Sequence, residues 1–243
     1  MSAEKTPSPK PDGGPARPGR STPLFVAAAA IVAAIGITVA VGLGGNDDTS
    51  SANGSGSVAV VSGGDDTTKA ATVLDRPFTK PGLVLTDTKG QKYDLRERTK
   101  GKPTLLYFGY THCPDVCPMT MSNIAIAKKQ LPKADQDKLQ VVFVTTDPER
   151  DTSAELAKWL PAAGDASFTG LTGSFSTIQA GARQIGIGID PPKKVDGKVV
   201  SMHGAQVIAF SPTTDQGYVL YGEDTSVDDY AKDLPKLIKG ENP

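Results

Sequence analysis

The rhythm of apolar and polar positions changes several times along this chain. Residues 1–23 are polar and proline-rich, with positive charge at Lys5, Lys10, Arg17 and Arg20. Such a stretch has too little apolar surface to bury and predicts a disordered tail. Residues 24–44, LFVAAAAIVAAIGITVAVGLG, carry no charge at all. At ~1.5 Å per residue a helix of that length spans ~30 Å, the hydrocarbon thickness of a bilayer, so the pattern predicts one transmembrane helix. Cations precede this run and Asp47 and Asp48 follow it. The positive-inside rule then puts the N-terminus in the cytoplasm and everything after residue 44 outside, as a single-pass protein of the cell membrane. Residues 45–72, rich in Gly, Ser, Asp and Thr, read as a flexible tether.

From residue 73 to 240 the pattern is that of a folded domain. Leu83-Val84-Leu85 opens a short strand that turns at Lys89-Gly90. Residues 103–109, PTLLYFG, and 140–145, QVVFVT, are continuous apolar runs, which predicts strands buried on both faces. Residues 118–131 predict a helix with Pro118 in its first turn, an apolar face of Met121, Ile124, Ala125 and Leu131, and a stop at Pro132. Thr152-x-x-Glu155 matches a capping box opening a helix through Trp159. A third helix is expected over 174–187. Residues 205–210 and 217–221 predict an antiparallel pair joined across Ser211-Pro212, and a last helix over 226–239 is expected to kink at Pro235. Strands alternating with helices, then a terminal hairpin and helix, predict an α/β sandwich with a mixed sheet.

Composition narrows the chemistry. The charge is balanced, Lys+Arg 26 against Asp+Glu 27 for a net −1, which argues against a nucleic-acid partner. The chain holds 2 Cys and 2 His, so any thiol or imidazole chemistry must use Cys113, Cys117, His112 or His203. Two cysteines cannot staple a scaffold, so the fold must rest on its core.

Cys113 and Cys117 lie where a buried strand gives way to a helix. Their Cys-x-x-x-Cys spacing is about one helical turn, which lets both thiols face one side. The free N–H groups and positive dipole end of the helix are expected to favour thiolate and lower the cysteine pKa. Such a pair can bind a soft metal such as Cu(I), exchange a disulfide, or close a structural one, and the spacing leaves all three open. His203 bears on the choice, because an imidazole brought over the cysteine loop would complete a three-coordinate site suited to copper. His112 adjoins Cys113 and is read as a packing or hydrogen-bonding residue. Asp147 stands at the carboxyl end of the second buried strand, where it holds a ligand in place, faces a partner, or simply starts a turn. Asp115, between the cysteines, tunes charge, reaches a partner, or is a helix N-terminal carboxylate. Met119, Met121 and Met202 are soft sulfurs whose expected role is core packing.

The run Tyr107-Phe108-Gly109-Tyr110-Thr111-x-Cys113-Pro114-Asp115-x-Cys117-Pro118, followed by Phe143-Val144-Thr145-x-Asp147-Pro148-Glu149-Arg150-Asp151, Gly170-Leu171-Thr172-Gly173 and an isolated His203, closely resembles the Sco/SenC family. The resemblance implies a thioredoxin-like fold related to peroxiredoxins, on one membrane anchor. It implies copper, as Cu(I) or Cu(II), on Cys113, Cys117 and His203, with Asp147 at the family's acidic position. It implies assembly of the binuclear copper (CuA) centre of cytochrome c oxidase subunit II, as copper chaperone, as thiol reductant, or both, and leaves room for another copper chaperone as donor. One departure is local: Gly204 follows His203, where many relatives carry Ser or Thr. The rival from another class is an enzyme, either a membrane-anchored thiol–disulfide oxidoreductase using Cys113 and Cys117 or a thiol peroxidase; no cationic partner for a peroxidatic cysteine is identifiable in the sequence.

Overall fold

The structure, a computed structural model, describes residues 71–204 and 206–243. The tail over 1–23, the apolar helix over 24–44 and the tether up to residue 70 lie outside the described residues. Among those described, no helix is long and apolar enough to cross a membrane.

The elements follow in the order β1 (Ala71–Thr79), β2 (Val84–Asp87), β3 (Lys92–Asp94), α1 (Leu95–Thr99), β4 (Thr104–Gly109), α2 (Val116–Lys129), α3 (Lys133–Lys138), β5 (Gln140–Thr145), α4 (Ser153–Ala163), β6 (Thr169–Thr172), α5 (Phe175–Arg183), β7 (Lys193–Val195), β8 (Lys198–Val200), β9 (Val207–Phe210), β10 (Gln216–Tyr221) and α6 (Val227–Lys239). Eight strands form one mixed sheet in the order β1-β10-β9-β4-β5-β6-β2-β3. β4, β5 and β6 run parallel, while β9 lies antiparallel on the other side of β4. β7 and β8 make a separate hairpin.

The buried apolar runs become the central strands for a direct reason. β4 is flanked by β9 and β5, so all six of its residues are buried. Alternation along the strand sends Leu105 and Tyr107 to one face and Leu106 and Phe108 to the other. The first face packs on α2, α4 and α6 through Met121, Ile124, Leu156, Tyr230 and Leu234; the second packs on α5 through Ile178 and Ala182. A strand dry on both faces needs no polar partner, hence the unbroken apolar pattern.

Several element bounds differ from those expected, while the last helix keeps its expected span. α2 begins before Pro118, at Val116, and ends at Lys129, leaving the buried Leu131 beyond it. α5 stops at Arg183 rather than 187. Pro235 lies inside α6, which runs on to Lys239. At α4 the Thr152 hydroxyl accepts from the Glu155 N–H as the capping pattern predicts, and the helix continues past Trp159 to Ala163. β1 begins at Ala71, inside the stretch read as tether.

Candidate metal centre

The chain leaves the sheet at the buried carboxyl end of β4, forms a short loop through Thr111–Asp115 and enters α2 at Val116. What holds this loop is Asp151, a fully buried carboxylate. It accepts from the Thr111 N–H at 2.9 Å, the Thr111 hydroxyl at 2.6 Å and the Thr145 hydroxyl at 2.6 Å. Charge-assisted bonds of this kind are the strong ones, and here they tie the loop to the end of β5. Nothing local in the sequence marks this role of Asp151, since its partner Thr111 is 40 residues away.

Both thiols are free, and Cys117 is fully buried while Cys113 is 7% exposed. The Cys117 backbone N–H points at Cys113 Sγ, 3.4 Å away, so the helix end does offer its free donor to one sulfur. The Tyr107 hydroxyl donates to Cys117 Sγ at 3.4 Å. The expected lowering of the thiol pKa does not hold for Cys117. Burial pushes it up from 9.0 to about 12, more than the hydrogen bonds pull it down. A thiol whose folded pKa lies above its unfolded value contributes stability that is present below pH 9 and lost as pH rises toward 12. Over that window the metal-free protein should lose more stability than Cys117→Ala does, as read by denaturant titrations at matched pH.

His203 approaches from the other side of β4. The Gly204 N–H donates to the Phe108 carbonyl at 2.8 Å, pinning the residue after His203 to the end of the strand that launches the cysteine loop. A Cβ on Gly204 would stand 3.3 Å from both Phe108 Cβ and Ile187 Cγ2, so the glycine permits this close approach. The imidazole faces the Tyr110 ring, with centroids 6.4 Å apart and planes at 29°. Its Nδ1 lies 3.4 Å from the Gly204 carbonyl oxygen and 3.9 Å from Glu223 Oε1. Among the described residues, no three His, Cys, Asp or Glu groups converge as a closed metal site. The cysteine pair and the imidazole instead sit at the same end of the sheet, with Tyr110 in contact with both.

Asp147 is buried and organises the approach to His203. One of its oxygens, Oδ2, accepts from Arg150 Nε at 2.6 Å, from a second Arg150 N–H, and from the Ser201 hydroxyl at 2.8 Å. Arg150 also reaches the Val199 carbonyl at 3.5 Å. The turn after β5 is thereby tied to the segment entering His203. Asp115 is exposed at the N-cap of α2, and its side chain makes no capping hydrogen bond. His112 is half exposed, with Nδ1 3.0 Å from the Thr111 hydroxyl and 3.6 Å from Asp151. The methionines divide: Met121 is in the core, but Met119 is 42% and Met202 47% exposed, against the packing expected of them.

The fold and the site together define a thioredoxin-like domain with two adjacent buried thiols at a helix start and a histidine at the same end of the sheet. The SCO1/SenC family model matches residues 68–239, and the chain belongs to that family. A protein of Stutzerimonas stutzeri named for copper binding is 34% identical over 140 residues, covering 58% of this chain and 68% of that one. The copper-bound ScoI of Bradyrhizobium japonicum is similar with a TM-score of 0.56 and 31% identity, over 67% of this chain and 98% of that one. The apo Sco1 of Thermus thermophilus matches with a TM-score of 0.61 and 30% identity, over 72% and 99%.

Proposed function

We propose that this protein carries copper on Cys113, Cys117 and His203 and hands it to the CuA site of cytochrome c oxidase subunit II. The observation that carries this reading is the shared address of the three donors. The Cys117 N–H donates to the free Cys113 sulfur, and the segment bearing His203 is pinned to the strand that feeds the cysteine loop. Two sulfurs with one imidazole are a donor set that suits copper. The residues fit the ion: the sulfurs are adjacent, and the imidazole lies against the Tyr110 ring at the same end of the sheet. Transfer then proceeds by ligand exchange, with cysteines of the acceptor displacing the donors stepwise. In this reading residues 24–44 anchor the chain in the cell membrane and residues 45–72 let the domain search its outer face for an integral oxidase.

The test is one equivalent of Cu(II) added to the reduced full chain. A thiolate-to-copper charge-transfer band is expected, absent in Cys113→Ser and in Cys117→Ser. His203→Ala should weaken copper binding beyond the ~10–100-fold that loss of an outer partner costs. Unchanged affinity in that variant would remove His203 from the ligand set. Asp147→Ala should itself fall within that ~10–100-fold range, because it frees the Ser201 end of the His203 segment while sparing all three donors; competition against a chelator measures it.

The alternative, a thiol–disulfide oxidoreductase acting on the oxidase's cysteines, is supported by the same adjacency of free thiols. Exchange needs an accessible thiolate and copper binding needs thiolates as well, so the burial of both sulfurs and a Cys117 thiol pushed up to about 12 weigh on either reading. His203→Ala separates the two readings, since disulfide exchange does not require the imidazole.

A further inference from the structure

Tyr110 touches all three candidate ligands by three different parts of itself. Its backbone N–H lies near the Cys117 sulfur. Its phenol lies beside Cys113. Its ring stacks beside the imidazole of His203. Its own carbonyl accepts the Cys113 N–H at 3.2 Å, closing the turn that sets the first cysteine. The residue is 7% exposed, so the ring has few other places to go. It is also the first residue after β4, and so it is held at its base by a strand whose six positions are all buried.

We propose that Tyr110 is a positioning residue of the copper site, which holds His203 beside the cysteine pair through its ring face and holds Cys113 through its phenol. The inference rests on the copper reading above for its metal-bound consequences, but its geometric half concerns the metal-free protein alone. Two functions sit on one side chain and can be taken apart. Tyr110→Phe keeps the ring beside His203 and deletes the hydroxyl. Tyr110→Leu deletes both. A hydrogen bond to a thiolate stabilises the sulfur lone pair that feeds the charge-transfer transition. Removing it raises that donor level and brings the band to lower energy.

The test uses the full chain in detergent micelles. In the metal-free protein the His203 ring signals are followed by proton–carbon NMR; with 2 His in the chain, His112→Gln assigns them. The His203 signals are expected to stay in place in Tyr110→Phe and to move in Tyr110→Leu. Hydrogen exchange of the Gly204 amide, bonded to the Phe108 carbonyl, should stay slow in both and so report an intact fold. With Cu(II), Tyr110→Phe should shift the charge-transfer band to longer wavelength, and Tyr110→Leu should lose ~10–100-fold in affinity, as an outer partner does. His203 signals unmoved in Tyr110→Leu, or a wild-type band in Tyr110→Phe, would overturn the proposal. Should Tyr110→Leu fail to fold, the band of Tyr110→Phe still decides it. Failure of Cys113→Ser, Cys117→Ser and His203→Ala to alter copper binding would remove the metal reading and leave the metal-free NMR result standing on its own.

Discussion

Asp151→Ala is expected to lower the stability of the metal-free protein by about 3 kcal/mol, since a buried donor left without its acceptor costs about 1–3 kcal/mol. The carboxylate is fully buried and serves the Thr111 N–H, the Thr111 hydroxyl and the Thr145 hydroxyl together. Alanine leaves all three donors in a dry place, although the hydroxyls can turn toward other acceptors. That freedom keeps the loss near the cost of one or two orphaned groups rather than three. The exposed His112 adds little, as its ring is 52% exposed and ion pairs there are worth about 0–1 kcal/mol. Thr111 begins the loop that carries Cys113, so the charge-transfer band should weaken along with stability. Asp151→Asn should fall between, because one amide oxygen still accepts while the NH2 group faces a donor. Urea unfolding followed by circular dichroism measures the first effect and copper titration the second. A loss below about 1 kcal/mol would show that something else anchors the loop.

Asp151 also marks where the sequence stops being legible. The central strands β4 and β5 can be read directly, because burial on both faces writes a continuous apolar run into the chain. The start of α4 can be read because Thr152 and Glu155 are local partners. The cysteine loop can be read because a strand end, a Cys-x-x-x-Cys and Pro118 follow each other at once. Two of the three bonds to Asp151 have no such signature, since Thr111 lies 40 residues from it along the chain. The same holds for the Tyr107 hydroxyl on Cys117: a tyrosine in an apolar strand looks like any other core residue until the fold sets a sulfur opposite it. β1, β3, β6 and the β7–β8 hairpin carry no clean alternation. They are short or exposed, with three-residue strands at β3, β7 and β8, too brief for a period to appear. The helix-end argument for a thiolate failed at Cys117 for an energetic reason. A dipole end and its hydrogen bonds act on a sulfur that the fold has taken out of water, and desolvation is the larger effect.

Gly109→Ala should then damage the site with no change to any donor atom. A Cβ at this position would stand 2.8 Å from Tyr107 Cε1, 2.9 Å from Cys117 Sγ and 2.9 Å from Phe143 Cε2. Real contacts of that kind are longer, so at least one neighbour must move. The two rings are held in place: Tyr107 and Phe143 pack against each other with centroids 6.1 Å apart, and Phe143 packs in turn on Trp159 at 5.0 Å. Gly109 itself is fixed by its place in β4 and by the Thr146 N–H donating to its carbonyl at 2.7 Å. Cys117 Sγ gives way most readily, and moving it stretches the Tyr107 hydroxyl bond and alters its spacing to Cys113. Overpacking of this kind costs about 1–3 kcal/mol, and the crowded central position puts Gly109→Ala at the upper end. Alanine's better fit to a strand recovers about 0.5–1 kcal/mol at most. The larger effect is on the metal: the charge-transfer band should be displaced or lost while the circular dichroism of the folded domain remains. If the variant kept native stability and a native band, the sulfur of Cys117 would have room that the packing around it denies, and the arrangement of Tyr107, Cys117 and Phe143 behind the site would have to be redrawn.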